Sequence, residues 1–217
     1  MAFRVLVTTT SFIDSPGLHR ERLEQSGVEI VTARGPFREG ELVNLIGDGN
    51  QFDGFICGED DFTSIALRAA KPRAKVISKY GVGLDRIDLT EADFLGIKVT
   101  NTPGVNHHTV TEHAFGLLLS LARRIPEESS FVHRGEWRRI TGRELVGKTI
   151  GVVGFGRVGR EVATRAMAFG MNVLVFNTSW SQVHAQHVEE LQGLFNHRLF
   201  SEFPPTIKHS EEEEELF

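Results

Sequence analysis

One cysteine, Cys57, stands in the 217 residues, so no disulfide can close within the chain. A bridge framework is excluded, and a reducing, cytoplasmic setting is expected. In "DGFICG" the lone thiol reads as a small buried hydrophobe and not as a nucleophile. Long apolar runs are also missing. The strongest, "AFGLLLSLA" at 114–122, falls short of the ~20 residues that a bilayer crossing needs. The start, "MAFRVLVTTT", alternates in polarity and has no small-residue cleavage site, which favours a strand over a signal peptide. Positive charge is not in excess. At a formal net charge of -5, neither nucleic acid nor an anionic membrane is expected as a partner. No short-period repeat is visible. What remains is ordinary globular composition, 40% hydrophobic and 24% charged, with length for one large domain or two small ones.

The first hundred residues alternate between strand and helix signals. Strand runs are "FRVLVTT" (3–9), "VEIVTA" (28–33), "GFICG" (54–58), "KVISKYG" (75–81) and "IKVTNTP" (97–103). Between them, "LHRERLEQSG" (18–27), "ELVNLIGDG" (41–49), "TSIALRAA" (63–70) and "LTEADFLG" (89–96) have helical spacing. Asp88 and Glu91 stand at capping-box separation, and Gly96 is placed to end that helix. Such alternation implies an α/β fold with a parallel sheet covered by helices on both faces. At Asn101-Thr102-Pro103-Gly104 turn chemistry takes over, and residues 101–107 read as a hinge between a domain at 1–103 and another at 104–217. A long helix follows through Val110, Ala114, Leu117, Leu118 and Leu121, and Pro126 opens a more polar one. From about 181 the chain reads as a polar, irregular tail. Within it "SEFPPTIKHS" resembles a loop, and the glutamates at 211–215 a solvated end.

"GVVGFGRVGR" (151–160) carries Gly154, Gly156 and Gly159 in G-x-G-x-x-G spacing. With 22 glycines in the chain that spacing arises easily by chance, so context decides. "KTIGVVG" before it reads as a buried strand, "RVGREVATRAMAFG" after it as a helix, and "NVLVF" (172–176) as a second strand. That is the setting of a dinucleotide fingerprint. The first glycine allows the tight turn, the second lets pyrophosphate approach, and the third lets helix and strand pack closely. Free N–H groups at the helix start then meet the phosphate charge. An acidic residue is expected after the second strand to hold the ribose 2′-OH. The sequence has Asn177 there, 18 positions beyond Gly159, and no Arg or Lys follows from 178 to 197. An amide can bond the hydroxyl without repelling a 2′-phosphate, with Thr178 and Ser179 as candidate phosphate donors. The cofactor is NAD or NADP.

"KYGVGLDRID" (79–88), "VTNTPGVNHHTVTEHAFGLLLSLARRI" (99–125), "GEWRR" (135–139) and "GRELVGKTIGVVGFGRVGREVA" (142–163) together resemble the D-isomer-specific 2-hydroxyacid dehydrogenase family, in its phosphoglycerate dehydrogenase-like branch. The similarity is ordered and covers about residues 1–180. It implies a flavodoxin-like parallel-sheet lid domain followed by a Rossmann coenzyme domain, here its first half. It also implies an active site in the cleft between them and a homodimer joined through the coenzyme domains. Hydride would pass between NAD(P) and a small D-2-hydroxy or 2-oxo acid. Carried onto matching positions, the resemblance gives the substrate carboxylate to the backbone at Val82 and Gly83, with Lys79 adding charge. It gives the pyrophosphate to Phe155, Gly156, Arg157 and Val158, and the nicotinamide end to Val110 and Thr111.

Reduction of a 2-oxo acid also needs a cation to polarise the carbonyl, a proton donor, and a partner to tune that donor. In the family resembled these are an Arg, a His and a Glu well beyond the glycine fingerprint. No Arg-Gly strand end and no later His-Pro stretch occurs in the 58 residues after Gly159, so no catalytic residue is assigned and the chain is expected to be inactive alone. His107, His108 and His113 near the hinge read as helix-start or packing residues. His184 and His187, near Glu189 and Glu190, have a superficially metal-like spacing but read as a solvated face, and no metal site is expected. The alternative function is a non-catalytic, dimerising dinucleotide binder of corepressor type.

Overall fold

The computed structural model describes residues 2–195 and 206–209. It contains two compact units that meet in the sequence between Val105 and Asn106.

The first unit holds β1 (Arg4–Val7), α1 (Thr10–Asp14), α2 (Leu18–Gln25), β2 (Glu29–Thr32), α3 (Glu39–Ile46) and β3 (Gly54–Cys57). It continues with α4 (Ser64–Ala70), β4 (Val76–Lys79), α5 (Leu89–Phe94) and β5 (Lys98–Thr100). The five strands form one parallel sheet in the order β2-β1-β3-β4-β5. β1 shows why both faces are covered. Leu6 packs with Leu42, Phe55, Phe62 and Ile77 on one face, while Val5 and Val7 pack with Phe12 on the other. Period-two alternation of apolar side chains therefore serves two cores. Each such Leu, Val or Phe contributes about 1.5–3 kcal/mol on burial.

Helix starts follow their caps. Asp88 accepts the Glu91 amide, as its spacing predicts, and Thr63 accepts that of Ala66. α3 begins at Glu39, two residues earlier than its apolar pattern suggests, because the Glu41 carboxylate reaches back to the Arg38 N–H at 2.9 Å. The short α1 has no counterpart in the sequence reading.

The second unit contains α6 (His107–Arg123), α7 (Ile125–His133), β6 (Thr149–Val153), α8 (Arg157–Ala168), β7 (Asn172–Phe176), α9 (Gln182–Phe195) and β8 (Ile207–His209). Its sheet is parallel, in the order β6-β7-β8, over a core that includes Phe115, Phe155, Met167 and Val175. Here the irregular-tail expectation is corrected. Residues 182–195 form a helix, and Ile207, Lys208 and His209 form a strand in register with Val173, Leu174 and Val175. Only Val188 and Leu191 of the described α9 side chains join the core, so its apolar stripe is too narrow to stand out in a polar sequence. The rest of the predicted loop, at 201–205 and 210, and the glutamates at 211–215 lie outside the described residues. Among the described residues, no helix is long and apolar enough to cross a membrane.

Candidate functional site

β6 ends at Val153, and the chain turns at once into α8. Gly154 takes φ 93°, a region that a residue with a Cβ enters at a cost, and donates its N–H to the Phe176 carbonyl at 2.8 Å. The third glycine closes the turn. A Cβ on Gly159 would sit 2.0 Å from the Gly154 carbonyl oxygen, so only glycine lets α8 pass this near to β6. Between them Gly156 faces open space, with no atom within 4 Å of where a Cβ would lie. Among the described residues no protein group accepts from the amides of Gly156, Arg157 or Val158. These donors open a twelve-residue helix whose macrodipole adds partial positive charge at the same end. Arg157 is exposed and ion-pairs with no carboxylate among the described residues, and Val158 is half-buried.

Phe155 and Asn177 are placed differently from a simple ligand lining. The Phe155 ring is fully buried and stacks on Trp180, with centroids 5.8 Å apart. Its N–H donates to Asn177 Oδ1 at 3.0 Å, and Asn177 Nδ2 donates to the Ser179 carbonyl at 2.7 Å. The Asn177 amide thus ties the end of β7 to the glycine turn. His184 and His187, read as a solvated face, are half-buried against the Phe155 ring, which corrects that reading. Burial, and then the charge of Arg160, hold the His187 imidazole below its usual value. Thr111 is fully buried with its hydroxyl donating to the His107 carbonyl at 2.8 Å, whereas Val110 is exposed. His107 and His108 start α6 beside Glu161 of α8. His113 is exposed.

In the first unit, the segment after β4 is held from one side. The Gly81 carbonyl accepts both the N–H and the hydroxyl of Thr102, at 2.9 and 3.0 Å, and the Val82 carbonyl accepts Asn101 Nδ2 at 2.7 Å. The amides of Val82 and Gly83 donate to no protein group among the described residues. Successive free N–H groups in such a turn make an anion nest. Lys79 lies under it and is buried, its ammonium bonded to the Gly58 carbonyl and the Glu59 carboxylate. Its charge is therefore already paired. Beside it, burial and then the nearby Asp60 charge push the Cys57 thiol up to about 12, which leaves it inert.

A cavity of about 180 Å³ opens at the ends of β1 and β3, where the sheet order reverses, and Thr8, Thr9, Gly58 and Asp60 line it. Asp60 serves structure there. Its carboxylate accepts from the Thr8 hydroxyl, the Phe37 amide and the Gly58 amide.

The sequence reading missed the Asn177 strut and the approach of His107 and His108 to Glu161. Both are contacts between elements far apart in sequence, for which local spacing carries no signal.

A family model described as D-isomer specific 2-hydroxyacid dehydrogenase, NAD binding domain, matches residues 115–202. Glyoxylate reductase of Thermococcus litoralis is 46% identical over 115 residues, covering 49% of this chain and 35% of its own length. D-3-phosphoglycerate dehydrogenase of Archaeoglobus fulgidus is 36% identical over 168 residues, covering 76% and 31% respectively. The crystal structure of the TT0316 protein from Thermus thermophilus matches with a TM-score of 0.72 and 36% identity, over 83% of this chain and 58% of that one. The chain thus spans about a third of the length of the curated relatives it matches.

Proposed function

The chain belongs to the D-isomer specific 2-hydroxyacid dehydrogenase family, and from that premise we propose that its second unit binds a nicotinamide dinucleotide at residues 154–159. Its first unit takes the carboxylate of a small 2-oxo or D-2-hydroxy acid at Val82 and Gly83. The observation that carries the reading is the pairing of open space over Gly156 with three amides that have no protein acceptor among the described residues. A pyrophosphate fits that cradle in shape and in charge. The Gly156, Arg157 and Val158 amides hold its oxygens, and the Arg157 side chain folds over it as a mobile cation. Phe155 shapes the turn instead, with its N–H bonded to Asn177 and its ring buried. The Val82 and Gly83 amides hold the acid's carboxylate, while Lys79 shapes that turn from beneath.

When bound, the nicotinamide supplies the hydride that interconverts a 2-oxo and a 2-hydroxy acid. Asn177 neither repels nor attracts a 2′-phosphate, so discrimination between NAD and NADP is weak. The Arg, Glu and His that would polarise the carbonyl and move its proton match no position in this sequence. General acid–base help alone is typically worth ~10²–10⁴ in rate. The 217 residues by themselves therefore bind without turning over. A second copy of the chain covers the apolar surface of α6 and α7, where Leu121 and Val132 are exposed.

The test is titration of the purified chain with NADH and NADPH, followed by a panel of 2-oxo acids while nicotinamide absorbance is read. Saturable binding without oxidation is expected. No binding of either cofactor contradicts the dinucleotide reading. Turnover that disappears in a His107→Ala, His108→Ala double variant would place the acid catalyst at the start of α6 and contradict the reading of the chemistry.

A further inference from the structure

His107 and His108 open α6, and Glu161 lies one turn into α8, the helix that begins at the glycine turn. One ligating atom from each of the three lies within 4.8 Å of the others. His108 Nδ1 is 3.4 Å from Glu161 Oε2. Donors bound tetrahedrally to zinc at its usual bond lengths stand about 3.3 Å apart, so this pair is already at ligand spacing. The His107 and His108 rings lie side by side, with centroids 4.1 Å apart. His107 Nδ1 is buried and has no hydrogen-bond partner among the described residues. A buried ring nitrogen without a partner calls for one, and an ion is among the few things that supply it.

We propose that His107, His108 and Glu161 form a binding site for a divalent cation of the zinc class, clamping the start of α6 to α8. Two imidazole nitrogens and one carboxylate select borderline metals over Mg²⁺ or Ca²⁺, which prefer all-oxygen sites. Three protein ligands leave the fourth position to water. Arg165 bonds the Glu161 carboxylate and fixes its orientation, the part that outer partners play at metal centres. The side chain of His108 is 58% exposed, which gives the ion a way in. The positive end of α6 opposes a cation, but by only about two- to fivefold in affinity. The guanidinium of Arg165 opposes it too, so the site is weaker than an all-thiolate one.

The test is calorimetric titration of the untagged chain with Zn²⁺ and separately with Mg²⁺. X-ray absorption and the visible spectrum of a Co²⁺-loaded sample follow. One Zn²⁺ per chain is expected, with two imidazoles in its shell, a rise in Tm with added zinc, and no comparable response to Mg²⁺. His108→Ala and Glu161→Gln should each weaken Zn²⁺ by more than about tenfold. His184→Ala with His187→Ala should leave it unchanged. Should the α6 or α8 variants fail to fold, the imidazole count on the unaltered chain still decides. Absence of a stoichiometric site, fewer than two imidazoles, or a site lost with His184 and His187 overturns the proposal.

Discussion

Asn177 accepts the Phe155 amide through Oδ1 and donates to the Ser179 carbonyl through Nδ2, so its side chain is fixed beside the glycine turn. In Asn177→Asp the carboxylate keeps the first bond, loses the second, and places a negative charge where a 2′-phosphate would approach. Like-charge repulsion in a partly buried site is worth ~1–3 kcal/mol, so NADP(H) affinity should fall relative to NAD(H). Competitive titration of both cofactors reads this directly, and an unmoved ratio would take Asn177 away from the ribose. Cys57 offers a second check at this scale. With its thiol pushed up to about 12 and its side chain buried, it should resist a thiol-specific reagent until the chain unfolds. Rapid labelling of the native chain would contradict that burial. The tight strand-to-helix turn at the three glycines was legible because their spacing fits a close βα approach. The strut role of Asn177 was not, since position alone cannot say which groups of its own chain an amide bonds.

Helix α8 approaches β6 as closely as it does because small residues, Gly159, Ala163 and Ala166, make up most of its buried face. Gly159→Ala would drive a Cβ into the Gly154 carbonyl. Overpacking of this kind costs about 1–3 kcal/mol. For a unit of this size each kcal/mol lowers Tm by about 4–8 °C. An unchanged melting curve would mean that α8 can shift at no cost, and with it the whole turn geometry. Stability should also depend on pH through His187. Its folded form stays neutral below its ordinary value of 6.5, whereas the unfolded chain takes up a proton there. The unfolded state then binds more protons, so stability falls as pH drops below about 6.5. His187→Phe should remove that part of the slope, and an unaltered slope would assign it to other groups. α9 itself escaped the sequence because, among its described side chains, only Val188 and Leu191 join the core, too few to show a period.

For the molecule as a whole, alternating strand and helix signals were enough to give parallel sheets. They did not give the strand order β2-β1-β3-β4-β5, which depends on which strands pair after long crossovers. The proposed association would use surface that the sequence shows only as a helical stripe. Leu121 is 79% exposed on α6 and Val132 60% on α7. Placing Asp at Leu121 should shift a dimer toward monomer in sedimentation, whereas unchanged association would put the contact elsewhere. We infer that residues 154–159 cradle a dinucleotide pyrophosphate on free amides. This central claim is tested most directly by calorimetric titration of NADH into the chain and into Gly156→Val, compared at equal folded fraction. A valine there fills the open space and holds phosphate off the backbone, so affinity should fall by more than about tenfold while the fold is kept. Equal affinity in the two chains would contradict the claim.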